Sequence, residues 1–82
     1  MTGIGKIYLE TPHGRDIRQV LEELINNTTM PGAHVVLGKR EEFFLNVIAE
    51  NQNVFFEYVK SVGRKYPSCK VTSSYAPYTG PW

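Results

Sequence analysis

The sequence predicts a small α+β domain in which strand and helix patterns alternate along 82 residues. Three observations carry that expectation. Two segments, Ile17 to Ile25 and Phe55 to Tyr66, repeat apolar residues with the helical period. Four others, beginning near Ile4, Ala33, Phe43 and Cys69, are short and β-branched or alternate with the strand period. Clusters of proline, glycine and asparagine punctuate the joins.

Each element follows from its residues. In Ile4 to Glu10, Gly5, Ile7 and Leu9 point one way, and Ile4, Lys6, Tyr8 and Glu10 the other, which is a strand. Thr11-Pro12-His13-Gly14 breaks it, because proline cannot donate to a sheet ladder and glycine is permissive. Ile17, Val20, Leu21, Leu24 and Ile25 then form the stripe of an amphipathic helix, with Arg15, Arg18, Gln19, Glu22 and Glu23 on the opposite face. Asn26-Asn27-Thr28-Thr29 ends that helix, since short polar side chains compete for backbone hydrogen bonds. Met30-Pro31-Gly32 turns the chain into a short strand, Ala33 to Leu37, and Gly38-Lys39-Arg40-Glu41 reads as a hairpin connection. Phe43 to Ala49 is the strongest strand, apolar on nearly both faces and so expected at the centre of a sheet. Asn51-Gln52-Asn53 supplies capping side chains for a second helix, whose stripe is Phe55, Tyr58, Val59, Val62 and Tyr66. Lys60, Arg64 and Lys65 suit its C-terminal end, and Pro67 stops it. The last strand, from Cys69 to Tyr75, is polar and expected at an edge.

The order βαββαβ is the split-βαβ or ferredoxin-like arrangement. It implies a four-stranded antiparallel sheet in the order 4-1-3-2 with two helices on one face. Residues 1–75 make the domain, and 76–82 are expected as a proline-broken, unstructured tail. A domain of this size buries only about 60–65% of its unfolded surface, so covering a further apolar face by self-association would add stability. Nine basic and eight acidic residues leave a net charge of +1. That balance gives no general attraction for nucleic acid or an anionic membrane, and neither is an expected partner. A single cysteine, Cys69, excludes an intrachain disulfide. The first residues lack a secretion signal, and no window approaches the ~18 apolar residues of a membrane span. The expected location is the cytoplasm.

Candidate sites are few. His13-Gly14-Arg15-Asp16 joins the first strand to the first helix, where free N–H groups beside histidine and arginine can hold an anion; the plainer reading is a helix start capped by Asp16. His13, His34 and Cys69 are not spaced as zinc ligands or as a catalytic pair, and no metal or cofactor is expected. The adjacent pairs Glu22-Glu23 and Glu41-Glu42 point apart and read as solvated surface, so no catalytic residue is assigned. Lys39 and Arg40, with Tyr8, Phe43 and Phe44 on central strands, suggest base stacking, but core and dimer packing explains the aromatics better.

The stretch Met30-Pro31-Gly32-Ala33-His34-Val35-Val36-Leu37-Gly38, followed by Phe43-Phe44-Leu45-Asn46-Val47, resembles the turn, second strand, glycine and apolar third strand of the effector-binding (RAM) domain of Lrp/AsnC-type regulators. The resemblance extends from Ile4 to Tyr75, without a DNA-binding half. ACT-like and dimeric α+β-barrel families share the same order of elements. In the RAM family a short acidic-aromatic-acidic turn follows the glycine. Here Lys39-Arg40-Glu41-Glu42 is longer and more basic.

These readings converge on a non-enzymatic regulatory or assembly module. It would form a homodimer or higher oligomer through the sheet face that the helices leave bare, with Tyr8, Phe43, Phe44, Leu45 and Val47 as the interface. A small-molecule effector would sit at that interface, with His13, Gly14, Arg15, His34 and Gly38 as the ligand-binding set. A dimeric α+β-barrel enzyme with a histidine-containing pocket is the first alternative. A nucleic-acid-binding module is the second, favoured if Lys6, Lys39, Arg40 and Lys70 form one basic stripe. Within the first reading, the tail, through Tyr78 and Trp82, competes with a second copy as cover for the bare face.

Overall fold

The computed structural model describes residues 2–11, 16–27, 30, 32–40 and 42–77. Its elements are β1 (Gly3–Glu10), α1 (Ile17–Asn27), β2 (His34–Leu37), β3 (Phe43–Ala49), α2 (Gln52–Lys65) and β4 (Lys70–Pro77). All strand pairs are antiparallel, and the sheet runs β2-β3-β1-β4, the ferredoxin-like order. β4 continues past residue 75: Ala76 and Pro77 pair with Ile4 and Gly3. The rest of the expected tail, 78–82, lies outside the described residues.

Polar side chains start both helices. The Asp16 carboxylate accepts from the Arg18 N–H at 3.0 Å, and its carbonyl accepts from the Val20 N–H at 3.2 Å. Asn51 Oδ1 accepts from the Val54 N–H at 2.9 Å. The two side-chain contacts each satisfy an N–H that the first turn leaves without a helical partner. Arg64 and Lys65 stand in the last turn of α2, next to the negative end of its dipole.

Strand parity decides which side is core. Along β1, Gly3, Gly5, Ile7 and Leu9 are buried, whereas Ile4, Lys6, Tyr8 and Glu10 are not. Pairing sets Ile7 beside Leu45, Gly5 beside Val47 and Gly3 beside Ala49. Val20, Leu21 and Leu24 of α1 close over these residues together with Phe55 and Val62 of α2 and with Tyr66. Both helices therefore cover the same face. Val59, expected in the core, is half-buried at its margin.

The same parity corrects the expected interface. Leu45 and Val47 have no exposed surface, and Phe43 packs against the core from the helix side. The helices take the odd-numbered positions of β3, so only Tyr8 and Phe44 of the expected interface stand on the bare face.

Glycine lets α2 approach β1. A Cβ added at Gly5 would fall within the Phe55 ring, and one at Gly3 would meet the Tyr75 hydroxyl. The Phe55 and Tyr75 rings stack with centroids 5.5 Å apart, and the Tyr75 hydroxyl donates to the Ala49 carbonyl at 3.4 Å.

Gly5→Ala should therefore overpack this contact and cost about 1–3 kcal/mol in urea denaturation. Leu24→Ala, which opens a cavity under α1, should cost about 2–5 kcal/mol. A Leu24→Ala loss below about 0.5 kcal/mol, the value of a surface change, would show that the α1 stripe does not carry the core.

Candidate functional site

The bare face is banded. Its first row crosses the sheet through Val36, Phe44, Tyr8 and Thr72. The second is polar: His34, Asn46, Lys6 and Ser74. The third is apolar again: Ile48, Ile4 and Ala76. Gly32, at φ +68°, rests against Ile48; a Cβ there would lie 2.7 Å from the Ile48 side chain, so the turn before β2 requires glycine.

Val36, Phe44 and Tyr8 of the first row form the floor of a depression of about 470 Å³ at the hairpin end of the sheet. Phe44 is only 7% exposed, although no helix covers it. The Tyr8 ring leans on it, with centroids 5.1 Å apart and planes inclined by 36°, and Lys6 Nζ stands 5.4 Å from its centroid. Lys39, Arg40 and Glu42 line the wall with Gly38. The Gly38 N–H donates to the Glu42 carbonyl at 2.7 Å, which closes the hairpin. A Cβ at Gly38 would lie 2.8 Å from Glu42 Oε1, so this glycine makes room for the carboxylate to fold back. Glu42 Oε2 is shielded from solvent and has no hydrogen-bond partner among the described residues.

Three cations thus line one depression with two aromatic rings, and Lys6 stands over one of them. Among the described residues, none of Lys6, Lys39 and Arg40 forms an ion pair. A second depression of about 460 Å³ adjoins the first, sharing Tyr8, Arg40 and Glu42 and adding Glu10 and Thr72. The lining of the first contains no histidine, cysteine, serine or threonine among the described residues. It offers charge and ring faces, which suit binding.

The expected ligand set is divided. Gly38 belongs to this depression. His34 is exposed on β2, its Nδ1 2.7 Å from the Gly32 carbonyl, and it borders a separate groove of about 580 Å³ between α1 and β2. His13, Gly14 and Arg15 lie outside the described residues. Asp16, next to them, is committed to capping α1. Of the expected basic stripe, Lys6, Lys39 and Arg40 come together, whereas Lys70 stands opposite Glu10 at the β4 edge. His34 and Cys69 belong to opposite sides of the sheet order, with β3 and β1 between them. No three His, Cys, Asp or Glu side chains gather as metal ligands among the described residues. No helix there is long and apolar enough to cross a membrane.

The sequence did not single out Val36, and it read Glu42 as solvated surface, whereas its Oε2 is shielded here. Their signal is positional: Val36 shares a face with Phe44 only through the β2–β3 register, and Glu42 reaches the site only because the hairpin closes on Gly38.

Exposed cations that form no ion pair among the described residues contribute little to folding. Lys39→Ala and Arg40→Ala should each leave stability within about 0.5 kcal/mol of the parent in urea denaturation. A larger loss would show that these side chains hold the hairpin and are not available to a ligand.

Compared with known proteins, the chain matches no family model, no curated protein and no solved structure.

Proposed function

We propose that this domain is a non-enzymatic module of regulatory or assembly type that self-associates through its bare sheet face and holds a small ligand at the rim. The observation that carries the reading is a pair of apolar rows on a side that no helix covers, Ile48–Ile4 for the seam and Val36–Phe44–Tyr8 for the ligand. Fully burying one such side chain is worth roughly 1.5–3 kcal/mol, and these are half-buried apart from Phe44, so part of that gain is still unclaimed. A second copy supplies the matching surface without new sequence. A two-fold axis along the Ile48–Ile4 row would seat the rows on each other. It would also carry the two basic hairpin ends to opposite rims, where they do not repel and stay open to a ligand.

Sedimentation equilibrium at micromolar concentration should give twice the 9.3 kDa chain mass. Ile48→Glu should raise the dimer dissociation constant about tenfold or more, the equivalent of about 1.4 kcal/mol. A monomeric full chain would sink the self-association reading. If a chain ending at Pro77 then dimerises, the segment 78–82 is the cover instead.

A further inference from the structure

We propose that the depression floored by Tyr8 and Phe44 binds a nucleotide unit, with the planar base laid on the aromatic floor and the phosphate held by Lys6, Lys39 and Arg40. This names the ligand of the reading above and does not rest on its self-association half, because the Ile48–Ile4 row lies beyond the polar row of Lys6 and Asn46.

Charge and shape together select this ligand. Among the described residues, three cations from β1 and the hairpin line the depression with one carboxylate, Glu42, so this lining is positive on balance. None of the three is neutralised by an ion pair among the described residues. An anion is therefore the complement. A bare phosphate would satisfy the cations and leave the half-exposed Tyr8 ring unused. An uncharged aromatic would cover the ring and desolvate the cations without a partner. A base bearing a phosphate answers both, since stacking on an aromatic side chain suits any base and Lys and Arg are the common phosphate partners.

Size agrees. The depression of about 470 Å³ falls within the ~300–1,000 Å³ of small-molecule sites. Its neighbour of about 460 Å³ sets two carboxylates, Glu10 and Glu42, against one arginine, Arg40, among the described residues, so the phosphate belongs on the Lys6–Lys39 side. Lys6 is exposed, with its ammonium over the Phe44 ring. On binding, it exchanges the ring for the phosphate and uncovers the floor for the base.

A free nucleotide and a nucleotide within single-stranded nucleic acid share this chemistry. Nuclear magnetic resonance titration of the full chain separates them, using adenosine monophosphate, inorganic phosphate and an oligoadenylate of about six residues. The monophosphate should shift Lys6, Tyr8, Arg40 and Phe44, and inorganic phosphate should not reproduce the ring shifts. Tyr8→Leu, which keeps apolar bulk, and Arg40→Ala should each weaken binding about five- to tenfold, whereas Glu42→Gln should tighten it about two- to fivefold by removing a like charge. Oligoadenylate binding more than about tenfold tighter than the monophosphate, and weakened by salt, assigns the site to single strands; affinities within tenfold assign it to free nucleotides. The proposal is overturned if neither compound shifts Tyr8 and Phe44, if phosphate alone reproduces the shifts, or if Tyr8→Leu binds as tightly as the parent. Light scattering on the same samples reports the oligomeric state, so failure of the dimer and failure of the site remain distinguishable.

Discussion

The contact between the Phe55 ring and the backbone of Gly5 sets how closely α2 approaches the sheet. A side chain on Gly5 would occupy the space that the ring fills. Tyr75 extends the same contact from the sheet edge. It stacks on Phe55 across the site of Gly3 and reaches the Ala49 carbonyl, so β4, β1, β3 and α2 meet at one place. Glycine ordinarily weakens a strand because it adds backbone entropy and packs nothing. Here two aromatic rings supply the packing that the strand itself lacks. A central strand that is low on its helix side allows a large ring to lie flat against it, which suits a chain with so small a core.

Fixing the helices against that side determines everything on the other. Once the odd positions of β1 and β3 face the helices, Lys6, Tyr8, Phe44, Asn46 and Ile48 have no choice but to stand on the bare face. Phe44 is the informative residue there. Its side chain is nearly as covered as the core, yet the cover is Tyr8, Lys6 and the hairpin. Such cover consists partly of long polar side chains, which can move aside at a cost far below that of opening a helix–sheet interface. A ring buried in this manner is available to a ligand, whereas Leu45, one residue further on, is not.

Periodicity made the architecture legible. The α1 stripe, the Asn51 cap, the stop at Pro67 and the central place of β3 all follow from local chemistry: side-chain spacing, a polar oxygen near a free N–H, a missing donor. Parity was harder to read. Phe43 to Ala49 is apolar on both sides, so its sequence alone does not say which set meets the helices. Leu45 and Val47 were therefore expected at an interface and are instead in the core. The α1 and α2 stripes hold the missing information, but only tertiary packing applies it to a particular side of β3. β4 shows another limit of local reading, because Pro77 looks like a break yet ends an edge strand, where a residue without an N–H is tolerated. The depression at the hairpin was legible only as one possible stripe, which also included Lys70. Its cations come from residues 6, 39 and 40, which only the β1–β3–β2 order brings together. A net charge of +1 describes the whole chain and conceals that convergence.

On the proposed reading, the polar row divides one face between two purposes. A surface meant only to meet its own copy would gain by being apolar throughout, as in the interior of an obligate interface. This one is interrupted by His34, Asn46, Lys6 and Ser74, which divide the Ile48–Ile4 row from the Tyr8–Phe44 row. Burying Lys6 against a second copy without a carboxylate would be costly. Under the proposed self-association, a dry contact would therefore be confined to the Ile48–Ile4 side, leaving the ring-lined side to water or an anion. Lys6 marks the boundary. Its stem lies in the polar row and its ammonium over Phe44, so whatever draws that ammonium away from the ring changes both the exposure of the floor and the charge facing the seam. Ligand and self-association would then be coupled through one side chain, with no movement of the backbone required.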